Sequence, residues 1–300
     1  MCDYLSNISS SQHIRQNPGF LSLIKGQSTS LLGVHRERPR LATIFSSQDR
    51  WLMGHVGLAL YFRKLTGLSE EGLSAASFIR DVTKYAITSK NTAAAFLNEM
   101  TQYGVISQQP HPSDKRVRVI IPAPATLEAI GGWMALHLRT LDALDGGGRV
   151  AWYLEARPSV LGLLQPEIAN GLLHDETIRN PHHAFAHFMW MNSGFLVTER
   201  LIASLESDLE AGGRLPTSLV SAAELTASFN LSRSHSARKI SEAEELGIVG
   251  WSGAKGRSKM WVSREFVSGF LDIQAAKLSI IDHVVAVHRS ATSLKQFDRV

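Results

Sequence analysis

The chain has 300 residues and a single cysteine, Cys2. One thiol excludes an internal disulfide and the multi-thiolate zinc patterns, and it fits a reducing compartment, so a cytoplasmic location is expected. Long apolar runs are also missing, since none reaches the roughly 18 residues that a membrane span requires. The opening MCDYLSNISSSQH has neither a basic n-region nor an apolar h-region, so neither a membrane partner nor export is expected. No P-loop, dinucleotide glycine fingerprint or nucleophile elbow is present. The expectation is a protein that is not an enzyme and takes no cofactor. Charge is modest, at 19% of residues, with a formal net charge of +4. A mildly basic balance permits a polyanion partner but does not establish one unless the cations cluster.

What is present is enough apolar material, 44% of residues, for a sizeable core and about two domains. The first 45 residues are serine-rich and polar. They read as a mostly irregular arm, with Pro18-Gly19 letting the apolar patch Phe20 to Ile24 dock on the body. From Ser46 the pattern becomes helical: a serine cap with Asp49 three residues on, then Leu52, Val56 and Leu60 at helical spacing, then Gly67 as a stop. A second, shorter helix runs from the cap Ser74 to Ala86. A third, SKNTAAAFLNEMTQYG, has Ser89 as cap and Gly104 just past its end.

On that third helix Ala93, Phe96, Leu97 and Met100 share one face, and Lys90, Asn91, Ala94, Ala95 and Asn98 lie roughly opposite. Asparagine can pair bidentately with adenine, lysine can reach guanine or phosphate, and alanines let a helix backbone sit deep in a groove. The stretch HPSDKRVRVIIP then reads as a hairpin whose turn carries Asp114, Lys115, Arg116 and Arg118, while Val117, Val119, Ile120 and Ile121 point inward. Helix, helix, helix, strand, charged turn, strand is the winged helix-turn-helix order. In it Lys115, Arg116 and Arg118 would lie along a phosphate backbone beside the groove holding the third helix. Taken alone, a basic hairpin is more often a solvated turn.

The same grammar recurs 143 positions later. SRSHSARKISEAEELGIV, from Ser232, lies over SKNTAAAFLNEMTQYGVI, from Ser89, without a gap, and Ser232, Ala237, Glu242 and Gly247 match Ser89, Ala94, Glu99 and Gly104. GWSGAKGRSKMWVS supplies a second hairpin with Lys255, Arg257 and Lys259 near its tip, and Ser263 caps a long final helix. The groove-facing set of this copy is Arg233, Ser234, Ala237, Arg238 and Ser241. Glu242, Glu244 and Glu245 fall in the later turns, away from the end that meets bases. From Asn230 to Arg264 there are seven Lys or Arg against three Glu, and from Ile87 to Pro122 four against two acids, so both copies are locally basic. One position is discordant: Lys239 stands where Phe96 stands in the first copy, so it must snorkel or the helix must be rotated.

Residues Ser74 to Leu144, ending in the helix PATLEAIGGWMALHLRTLDAL, resemble the MarR-type winged-helix transcriptional regulators. The two-helix motif, the basic wing with an Asp and Arg pair and the helix starting right after the second wing strand carry the likeness. The departure is at Ile87-Thr88, where the family has glycine then an apolar residue, which points to a wider or differently packed turn. Leu231 in the second copy is closer to that pattern. The resemblance implies a regulator of transcription, and family members bind two half-sites as dimers; one chain with two copies could present both reading heads.

Together these readings give a mainly α fold with small β-hairpin wings: tandem winged helix-turn-helix domains joined by a helical connector. The expected division is an arm at 1–45, a first domain at 46–145, a connector at 146–190 and a second domain at 191–300 with a long C-terminal helix. The expected partner is double-stranded DNA. A homodimer, a small-molecule effector between the domains, and the role of Trp133, Trp152, Tyr153, Trp190 and Met191 in such a pocket or in a plain core stay open. In NPHHAFAHFMW, Asn180 would cap and Pro181 start a helix that sets His183 and His187 one turn apart. No third ligand is evident, so no metal is expected. A protein-interaction scaffold without DNA binding and a tandem winged-helix plasmid replication initiator are the alternative functions.

Overall fold

The computed structural model describes residues 10–110, 118–206, 213–229 and 231–297. Along them the chain forms helices α1 (Ser11–Gln16), α2 (Phe20–Glu37), α3 (Pro39–Ile44), α4 (Gln48–Leu65), α5 (Ala75–Lys84) and α6 (Lys90–Gln102). The hairpin β1 (Ile106–Pro110) and β2 (Arg118–Pro122) follows, then α7 (Pro124–Asp145), α8 (Arg149–Ala156), α9 (Ser159–His174), α10 (Glu176–Arg179), α11 (His183–Met189) and α12 (Gly194–Ala203). After β3 (Arg214–Pro216) come α13 (Ala222–Thr226), α14 (Arg233–Glu245), β4 (Val249–Trp251), β5 (Met260–Ser263) and α15 (Arg264–Phe297). The architecture is mainly helical with two small antiparallel sheets, and among the described residues no helix is long and apolar enough to cross a membrane.

Two compact units emerge, and they do not follow the linear boundaries expected from the sequence. The first takes Asp49–Asp175 and the chain from Leu278 onward; the second takes Ser11–Gln48 and Glu176–Lys277. The expected irregular arm is corrected outright, because residues 11–44 form three helices. Phe20 and Ile24 are fully buried in the second unit, where α2 packs along α12. The stretch expected to be a separate connector is divided: α8 and α9 belong to the first unit, α10 and α11 to the second.

In the first unit, α5 starts with a capping box in which Ser74 and Ser77 satisfy each other's backbone amides. Helix α4 starts one residue later than the Ser46 cap implies, since the Ser46 hydroxyl donates to the Thr43 carbonyl instead. Pro124 opens α7, where its missing amide costs nothing, and Gly146 ends it in the left-handed conformation at φ 74°. The core joins Leu52, Val56, Phe78, Phe96, Leu138, Leu164 and Ile168 with Leu278 and Ile281 of α15. Gly171 lets α9 approach α15 closely, as a Cβ there would meet the Ile280 side chain at 2.5 Å. Arg149 is buried and neutralised by three carboxylates: Nε donates to Asp282 at 2.7 Å, and the guanidinium also reaches Asp142 and Asp145.

In the second unit, β5 is the central strand of a sheet ordered β3, β5, β4, and its inner face (Val262, with Leu215 and Val249 beside it) is fully buried. Phe185 and Phe188 of α11 pack on Phe266 of α15, and Phe185 also meets Phe270. Further along α15 are buried polar groups. Gln27 donates to Gln274 at 3.1 Å, and Glu199 of α12 and Lys277 of α15 are both buried. Burial pushes the Glu199 carboxyl above its usual range against the pull of Ser28 and Lys277, and burial brings the Lys277 ammonium down to about 8.

The sign of the consequence follows from proton counts. Between about pH 8 and 10.5 the unfolded chain keeps the Lys277 proton that the folded chain has lost, so this group makes stability rise with pH across that window. The double variant Glu199→Leu/Lys277→Met should lose that rise relative to the wild type and be as stable or more so at pH 7. Lys277→Met alone should cost about 3 kcal/mol, because it strands a buried carboxyl. Urea unfolding at pH 7 and pH 10 checks both; an equal cost for single and double variants would contradict the pairing.

Candidate nucleic-acid interface

Helices α6 and α14 are both 13 residues long and start and end 143 positions apart. The equivalence extends to atoms. Ser89 Oγ accepts from the Thr92 amide and Ser232 Oγ from the His235 amide, each at 3.2 Å. At the other end Gly104 (φ 67°) and Gly247 (φ 69°) turn the chain, and the amides of Val105 and Ile248 close back on Met100 and Ala243 at 2.9 and 2.8 Å. Each unit therefore holds one copy of the same serine-capped, glycine-ended helix.

The buried stripe also coincides. Ala93, Phe96, Leu97 and Met100 are buried on α6, with Phe96 stacked on Phe78 of α5. The matching Ser236, Ile240 and Ala243 are buried on α14, and Lys239 is half-buried with its ammonium 2.7 Å from Glu242. Lys239 thus snorkels, its stem covering the apolar seat and its charge reaching the rim, and the helix is not rotated.

The opposite faces are open. Lys90, Asn91, Ala95 and Asn98 are exposed on α6 and Ala94 is half-buried; Ser234, Ala237 and Arg238 are exposed on α14. Ser241 is half-buried, so it stands at the margin of the face rather than on it. Arg233 opens α14, but its side chain lies outside the described residues. Lys90 and the exposed Arg118 make no ion pair among the described residues, and the one acid of α6, Glu99, is held by Arg50 at 2.7 Å. That guanidinium also lies 5.2 Å from the centre of the Phe96 ring.

Both hairpins form. In the first, Ile106 pairs with Pro122 and Pro110 with Arg118; Asp114, Lys115, Arg116 and Val117 lie outside the described residues. In the second, Trp251 pairs with Met260, and Lys255, Arg257 and Lys259 are exposed around a turn containing Gly256 at φ 74°. Two of these lysines meet acids that the sequence reading set aside or missed. Lys255 reaches Glu244 of α14 and lies 4.8 Å from the centre of the Trp251 ring. Lys259 donates to both carboxylate oxygens of Glu206 at 2.7 Å. Arg238 approaches Glu242 at 3.7 Å, and Lys239 holds that carboxyl below the usual carboxylate range. The later-turn glutamates are therefore not remote from the cations. No local signal announces Glu206, which stands 53 residues from its partner.

The other candidates disperse. His182, not Asn180, precedes α11, and Asn180 instead donates to Glu176 at 2.6 Å. His187 Nε2 donates to the Lys239 carbonyl at 3.0 Å, and among the described residues no three metal-binding side chains gather. Of the five aromatic-cluster residues, Trp133, Trp152 and Tyr153 belong to the first unit and Trp190 and Met191 to the second. Tyr153 is buried, its hydroxyl donating to the Gly131 carbonyl at 3.3 Å and pushed up to about 12 by burial. No family model matches the chain, and no curated protein or solved structure matches it.

The unusual Ile87-Thr88 turn has a structural counterpart one residue earlier. Ala86 adopts φ 48°, closing α5 with the Ile87 amide bonded to the Val82 carbonyl at 3.1 Å, a position that favours glycine. Relief of left-handed strain exceeds the added freedom of the unfolded chain, so Ala86→Gly should stabilise the protein by about 0.5–1 kcal/mol. The urea midpoint checks this, and a lower midpoint would contradict it.

Proposed function

We propose that the chain is a sequence-specific double-stranded DNA-binding transcriptional regulator, built from two winged helix-turn-helix modules of MarR type. Helices α6 and α14 enter grooves and the hairpins after them meet phosphates. The observation that carries the reading is the duplication: two equally long helices, capped, seated and ended alike, each presenting a small, polar, cationic face to solvent and each followed by a basic hairpin.

The order of elements supports it. The second unit runs α12, β3, α13, α14, β4, β5 and then α15, so two helices and a hairpin follow one another as the proposal requires, with β3 paired to β5 as a third strand. The first unit runs α4, α5, α6, β1, β2 and α7. Its counterpart of the third strand is one bond, from the Ile120 amide to the Leu73 carbonyl at 2.9 Å, matched by the bond from Met260 to Leu219 at 2.7 Å. Asn91 and Asn98 have the two-sided amides that adenine accepts, and Arg238 has the fork that guanine accepts. Lys90 and Arg118 supply charge without base information. An interaction scaffold draws on one contrary observation, the glutamates beside the second hairpin's lysines.

Fluorescence anisotropy with duplex fragments at two or more salt concentrations separates the readings. Arg238→Ala should cost about 1–3 kcal/mol on a selected site and relax base preference there, whereas Arg118→Ala should weaken all sequences evenly and reduce the salt slope by about one. An equal loss on every sequence from Arg238→Ala would remove it as a base reader. Absence of salt-sensitive binding by the wild type would favour the scaffold.

A further inference from the structure

Resting on the DNA-binding reading above, we infer that the two heads grip phosphate unequally, and that Glu206 and Glu244 are the affinity-determining residues that set the difference. In the second unit the hairpin lysines already hold carboxylates: Lys255 with Glu244, and Lys259 with both oxygens of Glu206. The acids are fixed by backbone. Glu244 sits within α14, while the Glu206 amide donates to the Pro216 carbonyl at 3.0 Å, next to a bridge between Leu205 and Thr217. Lys255 is steadied further by the Trp251 ring. In the first unit Lys90 and Arg118 have no such partner among the described residues, and Glu99 is occupied by Arg50.

The difference has a thermodynamic signature. A cation without a partner that meets a phosphate releases the counterion condensed there, and each such contact adds about one to the salt slope. A lysine taken from a carboxylate gives less. The freed acid either stays near the phosphate and repels it, or turns away and gathers a counterion from solution, which offsets the one released. The ion pairs themselves do not forbid binding. Both lysine side chains are more than half exposed, and pairs of that exposure are weak enough for a phosphate to displace. The second hairpin therefore acts as a weaker and less salt-sensitive clamp, and the first head anchors the chain.

The test uses the full chain and a mixed-sequence duplex of about 30 base pairs, read by anisotropy across a salt series. Glu206→Gln/Glu244→Gln should bind about three- to tenfold tighter at low salt, with a slope steeper by about one to two. Lys255→Ala/Lys259→Ala should lose less affinity, and less slope, than Lys90→Ala/Arg118→Ala. A glutamine variant that binds like the wild type or more weakly, or lysine variants that lose as much as the first-unit pair, would overturn the inference. If the first-unit variant still weakens binding, the DNA-binding reading survives that failure. If the wild type shows no salt-dependent binding at all, both fall. Thermal unfolding of each variant confirms that the fold is retained, and the lysine comparison keeps the question answerable if a glutamine variant does not fold.

Discussion

Four side chains on one face of a 13-residue helix decide what the opposite face can do. Ala93, Phe96, Leu97 and Met100 anchor α6, and Ser236, Lys239, Ile240 and Ala243 do the same for α14. Because a helix repeats every 3.6 residues, seating that stripe leaves Lys90, Asn91 and Asn98, or Ser234 and Arg238, pointing at solvent. The serine caps fix where each helix begins and the left-handed glycines where it ends, so the hairpin always leaves at the same place relative to the exposed face. Orientation of the outer residues is a consequence of burial of the inner ones.

The two seats differ in quality. Phe96 stacks on Phe78, while the second copy has an alanine in place of Met100, a snorkelling lysine in place of Phe96 and a serine in place of Ala93. The second unit takes its core from elsewhere, from the Phe185, Phe188, Phe266 and Phe270 group, from α2 against α12, and from the inner face of the three-stranded sheet. It also tolerates the buried Glu199 and Lys277, whose removal from water costs stability.

Local features were legible in the sequence. The caps at Ser74, Ser89, Ser232 and Ser263, the glycine stops and the 143-residue offset are set by short-range hydrogen bonding and periodicity. Contacts that depend on chain return were not. FLSLIKGQSTSLLGVHRE looks like a polar arm because serine, threonine and glycine dilute its apolar stripe, yet it forms a helix that packs along α12 and buries Phe20 and Ile24. The final helix, expected whole within the second domain, buries Phe266 and Phe270 in one unit and Leu278 and Ile281 in the other. On the candidate interface, the face of each helix could be read from spacing, but not the reach of Glu206 to Lys259 or of Glu244 to Lys255, since neither partner lies on the same element as the lysine.

The central claim is that the outer faces of both repeated helices and the turns beside them touch DNA. Lysine acetylation footprinting, with rates measured by mass spectrometry in the absence and presence of a mixed-sequence duplex, tests it most directly. The account predicts that Lys90, Lys255 and Lys259 are protected by the duplex while Lys25 and Lys64, on other helices, react unchanged. Unaltered rates at Lys90, Lys255 and Lys259, or protection confined to Lys25 and Lys64, would contradict it.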